Sequence, residues 1–328
     1  MKIAIRCMLL LGLALLVYLI ARQGAVSVVT PLLAAGAILL WIVPLHGLPI
    51  LLDVLGWRML LPPGVRLSTL LWIATVREAF NRLLPVANVG GEIIGVRLLA
   101  QSGIPTVTAA ASIVMELLVT LAMQLVFAAL GIACLIRASG LTPLGSDLIL
   151  ALAVSVPLMV LMIVLVRYGS IFQRLARLGE WILGARFRRV TGHNPAALEA
   201  ALARLYRAPG LLGGVAAWQL SGMIAGTLET WLVLHWFGQT VSVPAALALE
   251  SLCQAARNFI FLVPAGIGVQ EAGLVGVGQL LGFGNDLMIA LSLAKRMREI
   301  LFGAPALLRW YWMQGRGYWD ATRDRREA

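Results

Sequence analysis

Between residues 77 and 103 the chain sets Arg77, Glu78, Asn81, Arg82, Glu92 and Arg97 around a break rich in Pro, Gly and Asn, inside otherwise apolar sequence. Arg77 and Asn81 are four apart, as are Glu78 and Arg82, so two neighbouring polar stripes run down one helix. A second set follows: Glu250, Gln254, Arg257 and Asn258 on one segment, Glu271 after another break, then Lys295, Arg296, Arg298 and Glu299 within about a turn. Ser112, Glu116, Thr120 and Gln124 step along an intervening segment at intervals of four, and Glu229 shares a helical face with Gln219 and Gly226. Guanidinium groups grip phosphate oxygens in pairs and keep their charge. Arg77, Arg82, Arg257, Lys295 and Arg298 are therefore candidates for binding an anionic head group, with Asn81, Glu92, Glu116 and Glu271 lining the same cavity. Glu229 and Glu250 are candidate proton carriers. The competing reading is a set of structural ion pairs, Arg77 with Glu116 or Glu92, and Lys295 with Glu299 or Glu271.

These groups sit in a chain of 328 residues that is 60% hydrophobic, 12% charged and +11 in net charge, with a mean hydropathy of +0.91. Such a composition belongs to an all-α polytopic membrane protein. The arginines are split between short loops and buried-looking positions, so membrane lipids, not nucleic acid, are the expected partners. An ionised group at bilayer depth costs about 2.5–3.5 kcal/mol on insertion scales, so these charges must pair or face water. The expectation is a hydrophilic cavity with an excess of positive charge.

Ile3 to Ala21 reads as a retained first span, since no small-residue cleavage pattern follows it. Pro31 to about Leu61 crosses next, with Trp57 beside Arg58 as an interfacial anchor. Leu67–Leu84 and Glu92–Ser102, broken at Pro85 to Gly91, form a re-entrant pair, and Pro244–Leu262 with Pro264–Gly282 forms another. Full crossings are expected at about 105–135, 148–166, 211–237 and 287–312, six in all with the first two. Overlaying Pro85 on Pro264, Glu92 on Glu271 and Gly103 on Gly282 needs one offset, which also puts Glu116 on Lys295 and suggests an inverted repeat. The reading is a single membrane domain over 1–315, with half 1 at about 31–166, half 2 at about 210–315, an amphipathic cytoplasmic segment at 167–209 and a frayed basic tail at 316–328. The segment holding eight arginines between Arg167 and Arg207 puts itself and both termini on the cytoplasmic side of a bacterial inner membrane.

No catalytic constellation, metal set or cofactor motif emerges. A G-x-x-x-x-G-K-[ST] loop is absent. His46, His193 and His235 have no partner in sequence, and Asp53, Asp147 and Asp286 fall at expected span ends as caps. Cys7, Cys134 and Cys253 read as small core residues. Gly90, Gly91, Gly266 and Gly268 read as turn formers. Half-helices starting after Pro85 and Pro264 point their amides toward an anion, though Glu92 and Glu271 compete for those donors.

The runs RLLPVANVGGEIIGVRLL at 82–99, Glu116 to Leu121, and VPAGIGVQEAG at 263–273 resemble the flippase-like family that includes the membrane portion of lysylphosphatidylglycerol synthases. GVQEAGLVGVGQLLGF looks most like the stand-alone members encoded with hopanoid biosynthesis. The resemblance implies translocation or handling of a lipid with a polar head group through a cavity built by two re-entrant pairs. It points by motif position to Arg77, Asn81, Glu92, Arg97, Glu116, Glu271, Lys295 and Arg298. Glu271 follows Val269-Gln270 where Glu92 follows Gly-Gly, so the two breaks are not chemically alike. Alternatives are a head-group-modifying membrane enzyme, or an accessory subunit of a lipid-synthesis complex, and a homo-oligomer is open.

Overall fold

Proline marks the start of several helices because its missing N–H is no loss in a first turn. Pro105 precedes one helix, and Pro143, Pro195 and Pro209 are the first residues of three others. The computed structural model describes residues 30, 32–84, 90–140, 142–168, 195–259 and 268–327, and only the backbone of 144, 168, 195, 259 and 314–327. A short 3-10 turn at Gly36–Trp41 leads into α1 (Ile42–Met59). Then come α2 (Leu67–Leu83), α3 (Gly90–Gln101), α4 (Thr106–Ser139), α5 (Pro143–Tyr168), α6 (Pro195–Tyr206), α7 (Pro209–Trp236), α8 (Val243–Phe259), α9 (Val269–Leu280) and α10 (Asn285–Glu327). Among the described residues there is no strand.

Four stretches are long and apolar enough to cross a bilayer: Leu32–Met59, Thr106–Ser139, Gly145–Arg167 and Pro209–Trp236. The chain is thus an all-α polytopic membrane protein, and α5 shows how it meets lipid. Leu150, Val154 and Leu158, four apart, are each more than 60% exposed. The expected first span, most of the arginine-rich segment, and residues 85–89 and 260–267, with Pro85, Pro264 and Gly266, lie outside the described residues; so do Cys7 and His193. The crossing expected at 287–312 falls within α10, whose charges keep it off the apolar set. The helix also continues through the tail expected to fray, as far as Glu327.

The overlay proposed from sequence has a structural counterpart. The half-helices α2 and α8 have 17 residues each, and α3 and α9 have 12 each. Both short helices end at a glycine with positive φ, Gly103 at 89° and Gly282 at 81°. Packing is mirrored too, since α2 lies on α10 and α8 lies on α4. Small residues admit both crossings: an added Cβ would lie 3.2 Å from Ala79 at Gly303, and would collide with Ser251 at Gly131. At the centre α1 and α7 run antiparallel, with His46 beside Glu229, Asp53 over Gly222 and Gly56 against Trp218.

Apolar packing forms two clusters. One gathers Ile42, Leu234, Leu249, Leu274 and Leu291, and the other Trp57, Leu70, Ile73, Leu99 and Leu202. Leu70, Leu99, Leu249 and Leu274 are fully buried, and truncating any one to alanine is worth about 2–5 kcal/mol. Leu202 brings α6 onto α4, so this part of the arginine-rich segment docks on the helical body.

Trp57 is fully buried, its indole N–H donating to Ser112 Oγ at 3.3 Å, and so is no interfacial anchor. Asp53 lies mid-helix because α1 continues as a helix through Pro49, so it caps nothing. Asp286 does stand in the first turn of α10, whereas Asp147 is an exposed residue within α5.

Candidate functional site

Where the two broken pairs meet the long helices, the charged side chains join into one buried seam. Its first knot is Arg77 of α2. One guanidinium nitrogen donates to Glu92 of α3 at 2.5 Å and another to Glu116 of α4 at 2.7 Å, with the group lying 4.8 Å from the Trp57 ring centroid. Asn81 completes it, donating to Glu92 at 3.3 Å and accepting the Gly91 N–H at 2.9 Å. This knot depends on glycine. A Cβ on Gly91 would fall 2.6 Å from Asn81 Oδ1, and one on Gly95 would fall 2.6 Å from Arg77 Cδ. Gly91 is thus a helical close-approach residue, not a turn former as expected.

The second knot inverts the charges. Lys295 of α10, the overlay partner of Glu116, donates to Glu250 of α8 at 2.5 Å, and Thr230 of α7 donates to the same oxygen. The first knot thus places the cation on the short helix α2 and an anion on the long helix α4, and the second does the reverse between α8 and α10. This corrects the expected pairing of Lys295 with Glu299 or Glu271. Those carboxylates are taken by Arg296, at 3.3 Å from Glu271 and 3.4 Å from Glu299. Glu271 also accepts the Gly268 N–H at 2.7 Å and the Ser292 hydroxyl at 2.9 Å. Both described half-helix starts, at Gly91 and Gly268, have therefore spent a backbone donor on a side chain. The competition foreseen from Glu271 is seen at Gly268, whereas at Gly91 the N–H goes to Asn81 and Glu92 pairs with Arg77 instead.

Between the knots runs a third chain of contacts. His46 of α1 places Nε2 2.9 Å from Glu78 of α2 and Nδ1 3.1 Å from Glu229 of α7. Arg298 pairs with Glu229 and approaches Glu299 at 3.7 Å. Arg257 bridges Glu299 at 3.1 Å and Gln270 at 2.5 Å, and Asn258 donates to Gln124 at 3.2 Å. His46 is the residue that sequence reasoning missed.

Among the described residues, Arg77, Arg82, Arg257, Lys295, Arg296 and Arg298 face Glu78, Glu92, Glu116, Glu229, Glu250, Glu271 and Glu299, with Asp53 close by. The expected excess of positive charge is not there: anions match or exceed cations. Arg97 stays out altogether. It is exposed on the side of α3 away from Gly91 and Gly95, and forms no ion pair among the described residues. Every other nominated residue is brought into the seam.

The seam still has unused donors. Nε of Arg77, Arg257 and Arg298, and Nε2 of Gln124 and Gln219, are buried without a hydrogen-bond partner among the described residues. Arg82 is the loosest cation, with Glu78 at 3.8 Å and a side chain 27% exposed. It lines a small pocket with His46, Glu78, Glu299, Phe302 and Gly303. The pocket has room for about one water molecule, far below the roughly 300–1,000 Å³ of typical small-molecule sites. Of the cysteines, Cys253 is buried and Cys134 half-buried, as core residues should be. Among the described residues there is no cluster suited to a metal ion.

The family model described as lysylphosphatidylglycerol synthase TM region matches residues 3–305. No curated protein and no solved structure shows significant similarity to the chain.

Proposed function

We propose, because the chain belongs to the lysylphosphatidylglycerol synthase TM region family, a membrane-protein family of lipid-related function, that it translocates or handles a lipid with a polar, phosphate-bearing head group along the buried seam. The acyl tails would remain in the bilayer beside the apolar helix faces. The observation that carries this reading is Arg82: among the described residues, a guanidinium with only a distant carboxylate partner, set on a small pocket between α1, α2 and α10. Such a group offers bidentate hydrogen bonding to phosphate oxygens. The unused donors on Arg77, Arg257 and Arg298 extend acceptor-binding capacity through the seam. Because anions are at least as numerous as cations, the seam does not hold a phosphate as a fixed tight site would. That favours passage over retention.

A head-group-modifying enzyme is less well supported. A general base must present a free nitrogen or oxygen to its substrate, and both ring nitrogens of His46 are occupied by carboxylates. The basic segment and tail support a bacterial cytoplasmic membrane with both termini inside. The likeness of residues 268–283 to hopanoid-associated members makes a hopanoid-rich membrane the first lipid background to try. Co-purification tests whether a lipid-synthesis enzyme accompanies the chain.

The test is reconstitution of the purified full chain in liposomes carrying phosphatidylglycerol labelled on its head group. A membrane-impermeant quencher then reports movement between leaflets. Protein-dependent loss of the inner-leaflet signal, slowed by Arg82→Ala, supports the reading. Loss no faster than in protein-free liposomes contradicts it.

A further inference from the structure

His46 makes two short contacts to carboxylates, and each contact needs a hydrogen. An ionised carboxylate only accepts, and a neutral imidazole carries one N–H and one bare lone pair. With Glu78 at 2.9 Å from Nε2 and Glu229 at 3.1 Å from Nδ1, neutral histidine between two carboxylates would set a lone pair against a carboxylate oxygen. The geometry therefore requires two protons in the trio, either as imidazolium between two carboxylates or as neutral imidazole with one carboxylic acid. One of the two is in excess of what a neutral histidine supplies.

The surroundings decide which contact lets go when that proton leaves. From α7, Glu229 is held by Arg298 of α10 as well as by His46 and is 3% exposed. From α2, Glu78 has, among the described residues, only Arg82 besides His46, at 3.8 Å, and its side chain is 22% exposed on the pocket. Glu299 and Arg298 face the trio from α10, Asp53 from a position two turns further along α1, and Phe302 closes over the imidazole edge-on with centroids 5.3 Å apart. Loss of the excess proton to water in the pocket leaves Nε2 bare, and Glu78 is driven from it toward Arg82. Regaining the proton draws Glu78 back to His46 and frees the Arg82 guanidinium.

We propose that His46, Glu78 and Glu229 form a proton-binding site whose occupancy sets whether Arg82 is available to a head-group phosphate. Resting on the lipid-handling reading above, this names the ion coupled to it: proton and phosphate bind together. Linkage makes the coupling reciprocal, so phosphate at Arg82 must tighten the trio's hold on its proton by the factor by which the proton tightens phosphate binding.

The experiment is solid-state nitrogen NMR of the histidine-labelled full chain in bilayers, from about pH 5 to about pH 9, the range histidine reports. Spectra are taken with and without dihexanoyl phosphatidylglycerol, and His46→Gln assigns the signal among the three histidines. The expected result is one proton lost from His46 or its carboxylates within that range. The pH of that loss should rise by about one unit with the lipid present, a tenfold coupling, and Arg82→Ala should abolish the rise. A trio fixed in one protonation state throughout, or a transition indifferent to the lipid, overturns the proposal even if His46→Gln fails to fold, because the wild-type spectra decide it. Lipid movement in liposomes beside an indifferent transition removes the proton site and leaves the transport reading intact. A lipid-sensitive transition without movement does the opposite.

Discussion

Replacing Arg77 with methionine removes the one cation shared by Glu92 and Glu116 while keeping most of the side-chain volume. Glu116 is 8% exposed and has no other partner among the described residues, whereas Glu92 keeps the Asn81 amide at 3.3 Å and its side chain is 19% exposed. Uncovering a buried charge by deleting its partner costs about 3–5 kcal/mol. Glu116 carries most of that, and loss of the guanidinium over Trp57 adds about 0.5–2 kcal/mol. Arg77→Met should therefore lower stability by about 3.5–7 kcal/mol, read from reversible denaturation of the purified protein followed by tryptophan fluorescence. The signature lies in the rescue. Adding Glu116→Gln should recover more than half of the loss, and adding Glu92→Gln clearly less. A single variant as stable as the wild type, or equal rescue by the two glutamines, would refute the assignment of Glu116 as the dependent partner.

Three more outcomes follow from the same contacts. Lys295→Met should destabilise by about 3–5 kcal/mol by leaving Glu250 with Thr230 alone, and Glu250→Gln should restore most of it in a double-mutant cycle. Gly95→Ala should cost about 1–3 kcal/mol, since its Cβ would meet Arg77 at 2.6 Å, and thermal unfolding should show it where Gly47→Ala, with open space around it, changes little. Arg97→Gln should leave both lipid movement and stability within about 0.5 kcal/mol of wild type, as for an exposed residue without a partner.

The parts of this molecule that local chemistry determines were readable from the sequence. Prolines and glycines bracketed the helices, the common offset placed α3 and α9 in register, and Arg77 with Glu116 or Glu92 was the ion pairing open to charges that could not stay bare in lipid. What could not be read depends on how distant helices face one another. His46 meets partners 32 and 183 residues away, and nothing around it in sequence marks the antiparallel crossing of α1 and α7 that brings Glu229 alongside. Lys295 reaches Glu250 instead of its neighbours because the rotation of α10 turns Arg296 toward Glu271. Arg97 looked like part of the motif, yet α3 docks through Gly91 and Gly95, which turns position 97 outward. The excess of positive charge inferred for the cavity came from counting arginines. It dissolved once the glutamates on α2, α7 and α8 proved to point into the same seam.

Photo-crosslinking tests the central claim most directly: that a polar head group enters the seam between α1, α2 and α10. A phospholipid bearing a photoreactive diazirine on its head group, irradiated with the reconstituted full chain, should label peptides containing Glu78 to Arg82 and Glu299 to Gly303. The same diazirine placed on an acyl tail should label the α5 face at Leu150, Val154 and Leu158 instead. Head-group adducts confined to helix ends, or a pattern the tail probe reproduces, would contradict it.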